Sequence, residues 1–193
     1  MQTLLRPVLV LFAILSLLVG VVYPLAVTGI ARAVFPQQAA GSLVERDGKT
    51  VGSLLIGQRF SDPKHFWSRP SATSPGPNNA AGSSGSNLGP SNPALRDAVK
   101  ERVAALRAAD PGNTVPVPID LVTASASGLD PDISLAAAEY QVARIARARN
   151  VAPERVRALL AEHARQQKLR FLGEPRVNVL ELNLALDGLT SAG

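Results

Sequence analysis

Hydrophobic positions along this chain fall into two regimes. From Pro7 to Ala31 the sequence runs without an Asp, Glu, Lys, Arg or His, and Leu, Val and Ile dominate the stretch. At ~1.5 Å per residue a helix of that length reaches roughly 37 Å, enough to cross a ~30 Å hydrocarbon core with some tilt. A cleaved secretory signal is the rival reading, since Arg6 gives a short positive start and Ala31-Arg32-Ala33 a small-x-small cleavage site. The apolar core of a signal usually runs ~7–15 residues, whereas here apolar character continues through Tyr23, Leu25, Val27 and Ile30. Length favours an uncleaved transmembrane helix over residues 7–33, preceded by a short amino terminus (1–6) and followed by one tethered domain (34–193). Gly20 and Gly29, with Ser16 and Thr28, offer small surfaces in the span that let another helix approach, although small residues are also simply tolerated in membrane helices.

Past the span the pattern alternates and then turns helical. Ser42–Arg46 and Lys49–Ile56 read as strands about Asp47-Gly48, a hairpin signal because both central positions of a type I′ turn need positive φ. Asn92 can cap a helix with Pro93 at its first position, and Leu95, Val99, Val103 and Leu106 then share a face until Asp110-Pro111-Gly112 stops it. The prolines of Val115–Val122 fit an extended or edge segment. A helix from about Ser134 to Arg149 points Leu135, Val142, Ile145 and Ala146 inward, and another from near Pro153 buries Val156, Leu159, Leu160 and His163 or Ala164. Val177 to Leu184 alternates as a strand would. The fold class expected is therefore α+β: a single amino-terminal transmembrane helix followed by one tethered α+β domain.

Between the hairpin and the first of these helices lie Phe60, Phe66 and Trp67, which read as core anchors beneath a loop. Residues 74–93 are built almost wholly from Ser, Pro, Gly, Asn and Ala. Composition alone suggests a flexible linker, while the irregular order of its glycines and asparagines suits a fixed loop equally well.

The net charge of +5 and pI near 10.2 raise the prospect of nucleic acid or anionic lipid as a partner. Eight of the basic residues lie between Arg144 and Arg170; with no aromatic among them to stack on bases, they read as a solvated helical face, and nucleic acid is not expected. Without cysteine the chain has no disulfide, thiol chemistry, zinc thiolate or lipidated Cys.

Motifs for catalysis fail on inspection. Gly48-Lys49-Thr50 resembles the tail of a phosphate-binding loop, but Leu43 stands where the first Gly belongs. Ser61-x-x-Lys64 matches the nucleophile motif of penicillin-binding enzymes, yet Pro63 sits inside it and neither partner motif appears. His65 and His163 are far apart, and His163 on a helix reads as a partly buried structural residue. Asp120, Asp130 and Asp132 can in principle gather a cation, although helix capping is the simpler role for Asp130 and Asp132. No catalytic residue, metal ligand or cofactor is expected from the residues alone.

Taken together, Gly57-Gln58 with Phe60, Arg69-Pro70-Ser71-Ala72, Ser86-Asn87-Leu88-Gly89-Pro90 with Asn92-Pro93, the stretch from Pro118 to Ser134, and Ala138-Glu139-Tyr140-Gln141-Val142 closely resemble the C chain of the Kdp-type potassium-transporting ATPase. The likeness runs essentially end to end and is most specific from Asp120 to Ser134. One departure is Ser84, which stands where a double glycine is expected.

The resemblance implies a small single-span subunit of a bacterial inner-membrane potassium uptake pump, with its amino terminus cytoplasmic and its bulk extracytoplasmic. Its partners are then a channel-like potassium-binding subunit, a P-type ATPase subunit and membrane lipid. The family is described both as an assembly and gating subunit covering the extracytoplasmic entrance and as a catalytic chaperone that raises ATP affinity of the pump subunit. ATP would be contacted only in complex with that subunit, through Gln141 and through Ser125, Ser127 and Gly128, whose backbone can donate to an anion; packing is the favoured role for Gln141. Gly20, Gly29, Ser86, Asn87 and Gly89 are the expected partner contacts. Should the resemblance mislead, a tethered extracytoplasmic binding module or hydrolase is the alternative.

Overall fold

The structure, a computed structural model, describes residues 2–166 and 173–189. The chain divides into two compact units, Met1–Val51 and Gly52–Gly193.

The first unit is led by α1 (Gln2–Leu17), a wide π-helical turn (Leu18–Val22) and α2 (Tyr23–Val34). Together they give one helix, Leu4–Val34, that is long and apolar enough to cross a membrane, and none of it is buried within the chain. After a short α3 (Pro36–Ala39) come β1 (Leu43–Arg46) and β2 (Lys49–Ser53). Asp47 (φ +53°) and Gly48 (φ +71°) turn between them, as the Asp-Gly signal requires.

The second unit is mixed helix and strand. Helix α4 (Pro93–Ala109) starts where expected: the Asn92 side chain accepts from the Ala94 N–H, and Pro93 occupies the first turn. Strand β3 (Asp132–Ser134) leads directly into α5 (Leu135–Arg149), whose cap is Ser134, its Oγ accepting from Ala137 N–H at 3.0 Å. Asp130 and Asp132 thus do not cap. Asp120 instead supports the cap, accepting from both the N–H and Oγ of Ser134. Asn150 (φ +53°) closes α5 in the left-handed conformation, a C-terminal stop that asparagine tolerates. Then follow α6 (Pro153–His163), β4 (Arg176–Asn178) and α7 (Val179–Asp187). Strands β3 and β4 pair antiparallel, with Ile133 opposite Val177.

Two expectations are corrected. Of the extended or edge segment expected over Val115–Val122, the edge strand is not formed: residues 116–118 lie outside any sheet and the end is a 3-10 turn at Ile119–Leu121. The alternating run from Val177 is a strand only as far as Asn178, and from Val179 it is helical. Leucine at every second position from Leu180 to Leu186 imitates a strand, but Val179, Leu182, Asn183 and Leu186, all buried, recur at three- and four-residue spacing. Asn178 decides the outcome locally, because its side chain accepts from Glu181 N–H and caps the helix.

The core gathers Phe66, Ile133, Val142, Ile145, Val156, Val177, Val179, Leu182 and Leu186, each at 2% exposure or less. Burial of one such side chain stabilises by roughly 1.5–3 kcal/mol. Helix α6 packs on both α5 and α7, and Phe60 and Trp67 border the core that encloses Phe66.

Candidate functional site

Asp62–Trp67 is a segment without a strand partner, and two helices hold it by their polar side chains. Phe66 is fully buried; its N–H donates to Asn183 Oδ1 (2.8 Å) and its carbonyl accepts from Asn183 Nδ2 (3.0 Å). Trp67 is held the same way from α5, its N–H donating to Gln141 Oε1 (2.7 Å) and its carbonyl accepting from Gln141 Nε2 (3.2 Å). Two side-chain amides thus stand in for a neighbouring strand. Each offers one donor and one acceptor in a plane, as a peptide unit does.

Arg144, one turn beyond Gln141, completes the arrangement. Its guanidinium donates to the carbonyls of Pro63 and His65 and to Gln141 Oε1, and stacks over the Trp67 ring at 4.4 Å. Burial pushes this guanidinium down to about 10, so it remains charged at neutral pH. Arg149 reaches the carbonyls of Lys64 and Leu186 and pairs with Asp187. His65 Nε2 lies 2.9 Å from Asp187 Oδ1. Burial raises the Asp187 carboxyl, but the hydrogen bonds from Arg149 and His65 outweigh it and hold the group below the ordinary range. The basic run is therefore no uniform solvated face. Arg144 is 4% exposed and Arg147 pairs with Asp110, while Arg157 and Arg165 pair with Glu139 and Glu181. Lys168 and Arg170 lie outside the described residues.

This arrangement fixes the state of Gln141. Its Nε2 also donates to Ala137 O (3.1 Å), so both donor hydrogens and both acceptor positions are occupied by the chain itself. Ser125, Ser127 and Gly128 form a bend that closes on the 74–93 loop. Ser125 N–H donates to Pro70 O, Gly128 N–H to Ser125 O, and Ser127 O accepts from Ser84 N–H. Gly128 stands at φ +69°, and a Cβ there would lie 2.7 Å from Ser84 O. Ser71 Oγ donates to Gly128 O and accepts from Asn78 N–H, while Thr73 Oγ1 accepts from Asn79 N–H. The 74–93 stretch is thus tied down as far as Gly85, which lies against Ala126; it is not a free spacer there. Ser86, Asn87 and Gly89 beyond it are exposed.

The acidic trio is dispersed into other duties. Asp130 pairs with Arg69 and accepts from Asp132 N–H, Asp132 pairs with Arg176, and Asp120 supports Ser134. No group of three metal-ligating side chains able to hold an ion occurs among the described residues. Both ring nitrogens of His65 face carboxylates, from Asp187 and Asp62, and His163 Nδ1 lies 3.0 Å from Leu159 O. Ser61-x-x-Lys64 lies in an irregular segment, where Lys64 N–H closes a turn on Asp62, and does not open a helix. Sequence reasoning missed Asn183, Arg144 and Arg149. Their one available signal was a polar side chain on an otherwise apolar helical face, as with Asn183 between Leu182 and Leu186.

Fold and site together define an α+β module, led by one helix long and apolar enough to cross a membrane, whose buried polar side chains grip its own backbone. The family model described as K+-transporting ATPase, c chain (KdpC), matches residues 5–188. Among curated relatives, the chain is 68% identical over 192 residues to the "Potassium-transporting ATPase KdpC subunit" of Variovorax paradoxus, with 100% of each chain covered. It is 66% identical over 187 residues to that of Herminiimonas arsenicoxydans, with 97% and 98% covered. The chain belongs to this family, which bears out the resemblance carried by its motifs.

Proposed function

We propose that this chain is a non-catalytic accessory subunit of an ATP-driven potassium uptake pump, acting through protein contacts in assembly and ion access. In this reading the amino terminus is cytoplasmic, the second unit lies outside the inner membrane, and the partners are a channel-like potassium-binding subunit and a P-type ATPase subunit. One observation carries it: Gly20, Gly29, Ser86, Asn87 and Gly89, the residues expected to meet partners, are all exposed. A Cβ at Gly20, Gly29 or Gly89 would meet nothing within 4 Å, while Gln141, Ser125 and Gly128 are spent on internal hydrogen bonds. Exposed glycines with open space around them let a partner approach closely without disturbing the fold.

Substitution separates the two sets. Gly20→Leu and Gly89→Leu should lower recovery of the chain with the purified pump at unchanged ectodomain stability; full recovery in both would sink the reading. Lys49, Lys64 and Lys100 should react with a membrane-impermeant amine reagent in intact spheroplasts, and protection until lysis would reverse the topology. ATP contact through Gln141 is the lesser reading. Gln141→Ala should leave the pump's apparent KM for ATP unchanged in whatever complex assembles, and a several-fold rise would restore it.

A further inference from the structure

Inside the apolar helix the backbone ladder is interrupted near its start, at Pro7, and again at its middle, at a π turn before Pro24. Tyr23 N–H reaches back five residues to Leu18 O, closing the π turn Leu18–Val22, and the next residue, Pro24, has no N–H. The Val19 carbonyl therefore receives nothing at four-residue spacing, because Tyr23 has turned to Leu18, and nothing at five-residue spacing, because residue 24 is proline; the same proline denies the adjacent Gly20 carbonyl its four-residue donor. No side chain of the helix supplies the loss. Ser16 Oγ can reach only backward, toward the preceding turn, and Thr28 reaches no further back than Pro24; from Gly20 to Val27 the only side-chain donor is the phenol of Tyr23, at the far tip of its ring. In hydrocarbon a backbone carbonyl without a donor is strongly disfavoured, and neighbouring helices are one of the few remedies. The approach is open, because Gly20 next to it has no Cβ and nothing stands within 4 Å of where one would be.

We infer that the Val19 carbonyl is a docking point for a hydrogen-bond donor, a Ser, Thr, Asn, Gln or similar side chain, on a transmembrane helix of another pump subunit. This rests on the accessory-subunit reading and adds the chemistry of its membrane contact. Wide turns of this kind recur at functional positions in helices.

The test uses the whole pump, purified in detergent with this chain, and measures how much of the chain stays bound after a mild detergent challenge. Pro24→Ala returns the N–H that proline denies to the Val19 and Gly20 carbonyls and so lessens the need for an outside donor. Retention should fall roughly three-fold, the scale of one interhelical hydrogen bond in a membrane, and Gly20→Leu, which blocks the approach, should lower it at least as far. Val21→Ala, which alters the same turn but leaves the Val19 carbonyl bare, should retain like the wild type. Wild-type retention in Pro24→Ala overturns the inference. So does an equal loss in Val21→Ala, which would mean that the turn tolerates no change at all. A cross-linked pair of these chains in place of a heteromeric contact overturns it too, since the donor would then be a second copy. Loss in Gly20→Leu with full retention in Pro24→Ala leaves the accessory-subunit reading intact and removes only the hydrogen bond. Failure of the wild-type chain to purify with the pump removes both.

Discussion

The apolar helix and the Asp62–Trp67 segment solve the same problem in opposite directions. The helix turns its apolar side chains outward, unburied from Leu4 to Val34, and its backbone ladder is interrupted at the π turn before Pro24. The segment sits against the core, and its polar backbone is satisfied by Gln141, Asn183, Arg144 and Arg149 from α5 and α7. In the proposed reading the first region depends on partners, whereas the hydrogen bonds of the second come from its own unit. Damage to the second should therefore appear as lost folding stability, and damage to the first as lost assembly.

Arg144→Leu is the strongest way to break that contrast, because it removes the Arg144 donors to the Pro63 and His65 carbonyls and leaves Gln141 Oε1 with Trp67 N–H as its remaining donor. It should cost on the order of 3 kcal/mol, as loss of several buried hydrogen bonds implies, read as a lower denaturation midpoint of the full chain in detergent. Gln141→Ala should cost about 2 kcal/mol by unpairing the Trp67 backbone and opening a cavity. Since Trp67 is the single tryptophan, its emission should shift in the same variant. Gly128→Ala should cost roughly 1–3 kcal/mol from positive φ alone, more if Ser84 cannot yield. Wild-type stability there would mean that the loop around 74–93 adapts freely.

Much of this arrangement was legible beforehand, and the failures share a cause. The hairpin, the Asn92 cap and the three central helices followed from local rules, since turn, cap and period each act over a few residues. Helix α7 was misread because leucine at alternate positions satisfies two periods at once; burial against α6 chooses between them. The basic run was misread because charge predicts exposure only where no carbonyls wait to be bonded, and the carbonyls that hold Arg144 lie about eighty residues away in sequence. Gln141 came to notice through family likeness, yet its four hydrogen bonds are a product of the tertiary fold.

Asp187→Asn is the mildest perturbation and sharpens the contrast at its edge. The wild-type carboxyl, held below its ordinary value by Arg149 and His65, contributes stability that is present above about pH 4 and lost as pH falls through its depressed folded value. The variant should lose about 1 kcal/mol at neutral pH, a modest figure because the pair is part-exposed. Its acid denaturation limb below pH 4 should be shallower, and an unchanged limb would assign the acid sensitivity to other carboxylates.

Phe66 and Trp67 have all four of their main-chain groups engaged by Asn183 and Gln141. An extended stretch carrying two large aromatics would otherwise be a template on which another chain could add as a strand. With both carboxamides in place it has no free edge to offer, so the pair protects against misassembly as well as packing the core. Removing either amide should expose a sticky seam, and the first sign of it in a cell would be insoluble protein.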